Sequence, residues 1–499
     1  MVRWRDGLGA MVRRCEGTRA MRLGAAFVVL VIAAFASSHA PMAQQAERPN
    51  VILIIMDDVG YGDYGSYGAP DVKTPNIDSL AKTGTKLTDF YAAPSCSPTR
   101  AALISGRYQQ RYRIEVPLGA APRGGGAGRA AGAADGPAPA APAAAAPAAA
   151  GRGAAAAVPA ATGLPATGRS LPQLLKNNGY RTALIGKWHL GYTKDTSPGA
   201  HGFDYFFGLK SGLIDYYQHT DQSGNHDLWE NEAHAHDQGY STDLFTQRSI
   251  KFIEDSAGSP FFLELAYNAA HWPFQVPDHP SVAPGNGRLV QPQEQASTRA
   301  DYVRILERAD QGVGQILATL EKRGLTRNTL VIFTNDNGGE WLSRNAPLFN
   351  RKQSLWEGGI RVPAIFKWPG RVPANRTSSQ VGIVMDLTAT IAAATGSPVP
   401  ADAKLEGINL LPLLQANAAP VERTLYFRYT LPTRRQRAVR QGDWKLMIDG
   451  PNPMLFNVRA DPGERNDLAA ARQDIVAKLF PLLGAWEADV DSEAKTTVQ

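Results

Sequence analysis

Cysteine is close to absent. The 499 residues contain two, Cys15 and Cys96, and only Cys96 lies in the body of the chain. A disulfide scaffold is therefore excluded. A single thiol left over in a chain that reads as exported points to a special role, although a buried inert thiol is the ordinary fate of a free cysteine. A comfortable membrane span is missing too. The apolar run LGAAFVVLVIAAFA is shorter than the roughly 20 residues a spanning helix needs. Six arginines (Arg3, Arg5, Arg13, Arg14, Arg19, Arg22) precede it and the small-residue stretch SSHAPMAQQA follows it. That order is a secretory signal peptide, predicted over residues 1–44, with Met21 as an alternative start. No cysteine follows the run to carry a lipid anchor. The expected location is periplasmic or secreted, with the membrane met only through the export signal.

A strong charge of one sign is also lacking. The formal net charge is +6, and four of those charges belong to the leader, where six arginines face Asp6 and Glu16. The remainder, about +2, leaves no electrostatic footprint for nucleic acid. Hydrophobic content of 43% and charged content of 20% fit an ordinary globular protein.

What is present is a rhythm. RPNVILIIMDDVG is a continuous apolar run ending in two carboxylates, the pattern of a fully buried parallel strand meeting a loop. Helix-then-strand pairs follow: TPNIDSLAKTG with its Pro-marked start, RSLPQLLKNNG before RTALIG, STDLFTQRSIKFIED before PFFLELA, DYVRILERADQGVGQILATLEKRG before NTLVIFTN, then VPAIFKWPG and VGIVMDLTATIAAATG. The alternation predicts an α/β fold, a large mainly parallel sheet sandwiched by helices. Residues 119–164 break it: nearly all Ala, Gly and Pro, they form an insertion predicted to be disordered. From 420 to 499 shorter strands and a last helix predict a small antiparallel α+β subdomain, which leaves 45–419 as the main domain.

In open α/β sheets ligands gather beyond the carboxyl ends of the strands. Here those ends carry Asp57-Asp58, Lys187-Trp188-His189, His271 and Asn335-Asp336-Asn337-Gly338-Gly339. Carboxylates and amides without cysteine or clustered histidine suit a hard cation, calcium first and magnesium second. Taken singly, Asp57-Asp58 is equally a pair of solvated loop acids, and Asp336-Asn337-Gly338 equally a turn.

The sharpest signal surrounds Cys96. SCSPTRAALISG contains C-x-P-x-R and resembles the first signature of the formylglycine-dependent sulfatases, arylsulfatase type, in the alkaline-phosphatase-like superfamily. GYRTALIGKWHLG (Gly179 to Gly191) resembles the second signature, G-Y-x-T-x-x-x-G-K-W-H. RPNVILIIMDDVGYGDYGSYG, TNDNGG and KQSLWEGGIRVP are similar to the remaining blocks, in the family's order. The resemblance runs from about residue 48 to the C-terminus, interrupted by the insertion; Ser105 is a small departure from the first signature.

The resemblance implies a sulfuric ester hydrolase in which a formylglycine-generating enzyme converts Cys96 to 3-oxoalanine (formylglycine). Asp57, Asp58, Asp336, Asn337 and the modified Cys96 would bind calcium. One hydroxyl of the hydrated aldehyde would attack sulfur. Arg100 and Lys187 would hold that diol, and His271 and Lys352 would meet the sulfate and protonate the leaving oxygen. His189 would take the proton of the second hydroxyl to release sulfate. The substrate would be an aryl sulfate or a sulfated sugar. Ser211 occupies a place where some relatives contact sulfate, Glu357-Gly358-Gly359 would shape the Lys352 loop, and Arg434, Arg435 and Arg437 would meet further acidic groups or lie solvated. His226, His234 and His236 receive no role. Three other readings stand beside this one: a phosphonate or phosphate monoester hydrolase of the same superfamily, a sulfated-glycan-binding protein without turnover, and a cysteine-dependent hydrolase. A phosphatase-type cysteine loop does not fit, because it needs more residues between Cys and Arg and a glycine cradle.

Overall fold

The first apolar run becomes the middle of the molecule. In the computed structural model, which describes residues 48–119, 162–256, 258–279, 296–431 and 434–496, Asn50–Met56 is strand β1 and every residue of it is buried. The leader, and all of the insertion but its ends, lie outside the described residues. β1 is flanked on both sides, so its side chains alternate between two cores. Val51, Leu53 and Ile55 enter one, and Ile52, Ile54 and Met56 the other. Each such side chain contributes about 1.5–3 kcal/mol through burial, which is why this run has no polar face.

The other strands of the main sheet follow in chain order: β2 (Thr85–Tyr91), β3 (Arg181–Lys187), β4 (Tyr205–Leu209), the short β5 (Trp229–Glu230) and β6 (Ala233–His234), β7 (Phe261–Ala266), β8 (Thr329–Asn335), β9 (Arg361–Lys367), β10 (Arg376–Ser378) and β11 (Gly382–Ile383). The spatial order is β10-β2-β9-β8-β1-β7-β3-β4-β5-β6, with β11 also on β2. β8, β1, β7, β3 and β4 are parallel neighbours. β9 runs against both β8 and β2. The expected large, mainly parallel sheet is thus observed.

Helices cover both faces. α1 (Pro75–Thr83), α4 (Ser241–Asp255) and α5 (Arg299–Lys322) pack Ile77, Phe245, Tyr302 and Ile305 on the Ile52 side. α2 (Cys96–Ser105), α3 (Leu171–Asn177) and α7 (Met385–Thr395) pack Leu103, Leu171 and Leu387 on the Val51 side. A four-residue helix, α6 (Glu357–Ile360), leads into β9. The antiparallel sheet β12 (Thr424–Thr430), β13 (Arg435–Gln441), β14 (Trp444–Asp449) and β15 (Pro453–Asn457), with α8 (Gln473–Thr496), adds its apolar face to the Val51-side core. The smaller C-terminal sheet and helix are therefore as expected. Among the described residues no helix is long and apolar enough to cross a membrane.

Candidate active site

Because β1, β3, β7 and β8 are parallel, the residues that end or follow them arrive at one edge of the sheet. β1 delivers Asp57 and Asp58, β3 ends in Lys187, the segment after β7 carries His271, and β8 is followed by Asp336 and Asn337. β2 ends at the same edge and leads to Cys96 at the first turn of α2, where Arg100 follows one helical turn later. The reversed β9 begins there, so Lys352, which precedes it, joins the group. All nine side chains are buried.

They form one chain of contacts. Lys187 donates to Asp57 Oδ2 at 2.6 Å, and Cys96 Sγ lies 3.7 Å from Asp57 Oδ1. Arg100 donates through Nη2 to Asp336 Oδ2 at 2.9 Å and through Nη1 to the Lys187 carbonyl at 2.7 Å. Asn337 Nδ2 donates to Asp58 Oδ1 at 2.8 Å, and Lys352 Nζ donates to Asp58 Oδ2 at 2.7 Å. His271 Nε2 stands 3.3 Å from Asp58 Oδ2 and 3.4 Å from Lys352 Nζ. Ligand atoms of Asp57, Asp58, Cys96 and His271 all lie within 4.8 Å of one another. His271, which the sequence reading assigned to the sulfate, thus also faces the candidate cation position.

Two residues hold left-handed backbone to aim their side chains: Asp58 at φ 57° and His189 at φ 55°. Asp and His tolerate this region better than most residues, and such strain gathers at functional sites. The glycines of the NDNGG stretch have a different cause. A Cβ on Gly338 would stand 1.9 Å from the Gly358 carbonyl oxygen, so only two glycines let the Asp336-Asn337 loop meet the turn before β9.

Charge follows the geometry. Burial, with Asp336 alongside, pushes the Asp57 carboxyl up in spite of Lys187. Burial works the same way on Asp58, but Lys352 and His271 overcome it and hold that carboxyl below the usual range. Burial raises the Cys96 thiol to about 12 and lowers His271 to about 3. His189 falls well below an ordinary imidazole through burial and the nearby Lys187. Its Nε2 donates to the Leu118 carbonyl at 3.0 Å, which leaves Nδ1 as the bare nitrogen, buried and unpartnered. His271 is arranged the other way: Nδ1 donates to the Trp272 carbonyl at 2.6 Å, so Nε2 is the acceptor.

A hard cation fits these residues. Asn337 Oδ1 is a buried amide oxygen with no hydrogen-bond partner, and its own Nδ2 is bonded to the Asp58 carboxylate, so it stands beside the acids. Other expectations fare differently. The Ser211 hydroxyl turns away to its own chain, donating to the Leu213 carbonyl at 2.6 Å. Arg434 is paired with Asp449, and Arg435 and Arg437 with Glu487, while the side chains of Arg434 and Arg435 remain about half exposed to solvent. His226 lies with its ring centroid 4.8 Å from that of His236 and 5.4 Å from that of His234, a cluster beside β5 and β6. Glu357 shapes the Lys352 turn from inside: it bonds Tyr91, Arg361 and Lys445. Sequence reasoning missed Glu340, 3.7 Å from Lys352, and also Ser95 and Tyr429, discussed below. No local pattern marks them.

The comparisons with known proteins agree. The family model described as Sulfatase matches residues 49–397, and one described as N-sulphoglucosamine sulphohydrolase, C-terminal, matches 347–484. The chain is 29% identical over 518 residues to N-acetylgalactosamine-6-sulfatase of Canis lupus familiaris, covering 91% of this chain and 88% of that one. It is 31% identical to the Homo sapiens protein of the same name, covering 85% and 82%. The crystal structure of Ps i-CgsB in complex with k-i-k-neocarrahexaose superposes with a TM-score of 0.74 at 29% identity, covering 88% of this chain and 93% of that one. Matched along most of its length by family, sequence and fold, the chain belongs to the sulfatase family and is a sulfuric ester hydrolase.

Proposed function

We propose that the chain hydrolyses the sulfate monoester of a sulfated sugar at the Cys96 cluster, after conversion of Cys96 to formylglycine by a formylglycine-generating enzyme and with a divalent cation bound. One observation carries this reading: the carboxylates of Asp57 and Asp58, the Cys96 side chain and the cations of Lys187 and Lys352 converge in a buried group. The relatives named N-acetylgalactosamine-6-sulfatase, and the similar structure solved with k-i-k-neocarrahexaose, support a sugar as the sulfate carrier. A cation held by Asp57, Asp58, Asp336 and Asn337, calcium by its oxygen donors and magnesium second, would supply Lewis acidity, and an aldehyde hydrate at position 96 would supply an oxygen nucleophile.

The chain's own groups do the rest. Sulfate brings negative charge into a buried site, where Lys352 and Lys187 offset it strongly. Arg100, braced between Asp336 and the Lys187 carbonyl, fixes the spacing of α2 from the ends of β3 and β8. Lys352 carries protons and is the donor to the leaving oxygen, whereas His271, with Nε2 bare, orients the ammonium. His189 receives a proton at Nδ1, the one ring nitrogen left unbonded. An unmodified thiol would do little here, because burial holds it protonated well above neutral pH. The leader and the expected export belong to the same proposal.

The test joins mass spectrometry to kinetics. The Cys96 peptide of active protein should have lost sulfur and two hydrogens and gained one oxygen. Hydrolysis of 4-nitrocatechol sulfate should vanish on chelation, in Asp58→Ala and in Cys96→Ala. An intact thiol in fully active protein refutes the modification, and full activity after metal stripping refutes the cation. Faster turnover of a phosphonate monoester than of any sulfate ester would favour the superfamily alternative.

A further inference from the structure

The C-terminal sheet reaches the reaction centre with one side chain that nothing so far uses. Tyr429 on β12 is opposite Gln436 on β13, so the two side chains share a face. Gln436 Oε1 accepts from the backbone N–H of Leu355 at 3.0 Å, which sets that rung against the turn carrying Lys352. The same turn is tied to the segment before Cys96, because Gln353 donates its N–H to the Pro94 carbonyl at 2.7 Å. Tyr429 therefore sits over the seam between the Lys352 turn and Ser95-Cys96. Lys352, Cys96 and Glu340 are its electrostatic neighbours, and the Ser95 hydroxyl is within hydrogen-bonding reach of its oxygen.

The hydroxyls of Tyr429 and Ser95 are buried and face each other, and neither has any other hydrogen-bond partner in the protein. Tyr429 as a whole is 1% exposed. A buried hydroxyl left unpaired costs about 1–3 kcal/mol, so native proteins seldom keep one without a reason. They are not alone. Arg100 Nε, His189 Nδ1 and Asn337 Oδ1 are unpartnered in the same neighbourhood. Hydrogen-bonding capacity held open around one point is what a polar ligand would use. With the Lys352 ammonium beside it, the phenol meets a donor where it needs an acceptor. An anionic oxygen supplies one, and burial keeps the phenol protonated to donate to it.

We propose that the Tyr429 hydroxyl is a further substrate contact of this enzyme, donating a hydrogen bond to a sulfate oxygen of the bound ester. This rests on the sulfatase reading of the Cys96 site. It makes the C-terminal subdomain part of the active site and more than a buttress.

Tyr429→Phe removes one oxygen and keeps the packed ring. With 4-nitrocatechol sulfate, kcat/KM should fall about tenfold or more, the worth of one hydrogen bond to a charged group. The inhibition constant of inorganic sulfate should rise by a similar factor, with a melting temperature that is unchanged or raised, since a strained buried hydroxyl is removed, and with the same fraction of Cys96 converted by mass spectrometry. Values of kcat/KM and sulfate inhibition within twofold of the parent overturn the proposal, as does a loss wholly accounted for by incomplete conversion of Cys96. Calorimetric binding of inorganic sulfate keeps the test separate from the function. If the parent shows no turnover, the sulfatase reading fails, while equal sulfate affinity of parent and Tyr429→Phe overturns the Tyr429 contact by itself.

Discussion

Replacing Lys445 by methionine tests how the turn that carries Lys352 is held. Lys445, on β14, is fully buried and bonds Glu357 Oε1 at 2.9 Å and Glu464 Oε1 at 2.8 Å. Glu464 in turn accepts from the Glu357 backbone N–H at 2.6 Å, and Glu357 accepts from Tyr91 at 2.7 Å. Arg440 reaches Asp89 at 2.9 Å and also bonds Tyr91. The network links the C-terminal sheet to β2, which leads to Cys96, and to α6, which follows Lys352. At an effective dielectric of about 20, each lysine contact is worth about 6 kcal/mol of gross attraction, most of it offset by desolvation of the ions. Taking away the lysine alone leaves two buried carboxylates facing each other, for which a loss of about 3–5 kcal/mol is expected.

Methionine keeps the length and packing of the stem, so that cost is electrostatic. Urea unfolding followed by tryptophan fluorescence should show it at pH 7, and kcat/KM on a sulfate ester should fall severalfold as the Lys352 turn loosens. Adding Glu464→Gln to Lys445→Met should restore a large part of the stability, because one of the two acids is then neutral. The pH dependence has a definite sign. Burial alone would raise the Glu357 carboxyl, but Lys445, Arg361 and Arg440 bring it down to about 2. Its contribution is complete above the ordinary glutamate range and is lost as pH falls toward 2, so the gap between parent and variant should narrow in acid. A variant within about 1 kcal/mol of the parent at pH 7 would refute the claim that these charges hold the turn.

Two further changes probe other parts of the site. Gly212→Ala would place a Cβ 2.5 Å from Cε1 and 2.8 Å from Nε2 of His189, so the ring must move while the fold stays. We expect kcat to fall more than about tenfold with KM and melting temperature little changed; an unaltered kcat would remove His189 from the proton path. His201 is buried against Trp188, with Nε2 donating to the Leu164 carbonyl at 3.1 Å, and burial lowers its imidazole to about 4. The folded chain therefore resists its protonation, so stability is full above about pH 6.5 and declines toward pH 4 by about 3 kcal/mol. His201→Gln keeps the donor and should flatten that decline; equal acid sensitivity of the two proteins would place the charge elsewhere.

The legible parts of this molecule are those where one strand carries two messages at once. In β1, β3 and β8 an unbroken apolar run announces burial on both faces, and the polar residues closing the run announce the edge where ligands gather. Asp57, Asp58, Lys187, Asp336 and Asn337 could thus be found from pattern, and the C-x-P-x-R stretch adds Cys96 and Arg100. Lys352 has no such frame. It sits in an irregular turn, and only the family's block order pointed to it. The reversal of β9 is equally silent, since VPAIFKWPG reads the same whichever way the strand runs, yet that reversal is what brings Lys352 to the edge.

Side chains whose surroundings are set by the assembled fold are the hardest to read from pattern. Arg435 and Arg437 share a partner that no local pattern gives, Glu487 on the last helix, while Arg435 stays half exposed. The Ser211 hydroxyl has its partner two residues ahead, the Leu213 carbonyl, which its sequence context does not announce. Tyr429 is no easier to read, because in TLYFRYT it is one more inward aromatic of an alternating strand. What separates it from Phe427 is a single oxygen, faced only by the Ser95 hydroxyl, and what surrounds that oxygen is decided only when β12 is laid against the Lys352 turn. Residues that a sequence can nominate for chemistry are those whose neighbours in the chain already restrict their surroundings. Residues like Tyr429 become functional through unmet hydrogen bonding, which exists only in the assembled fold.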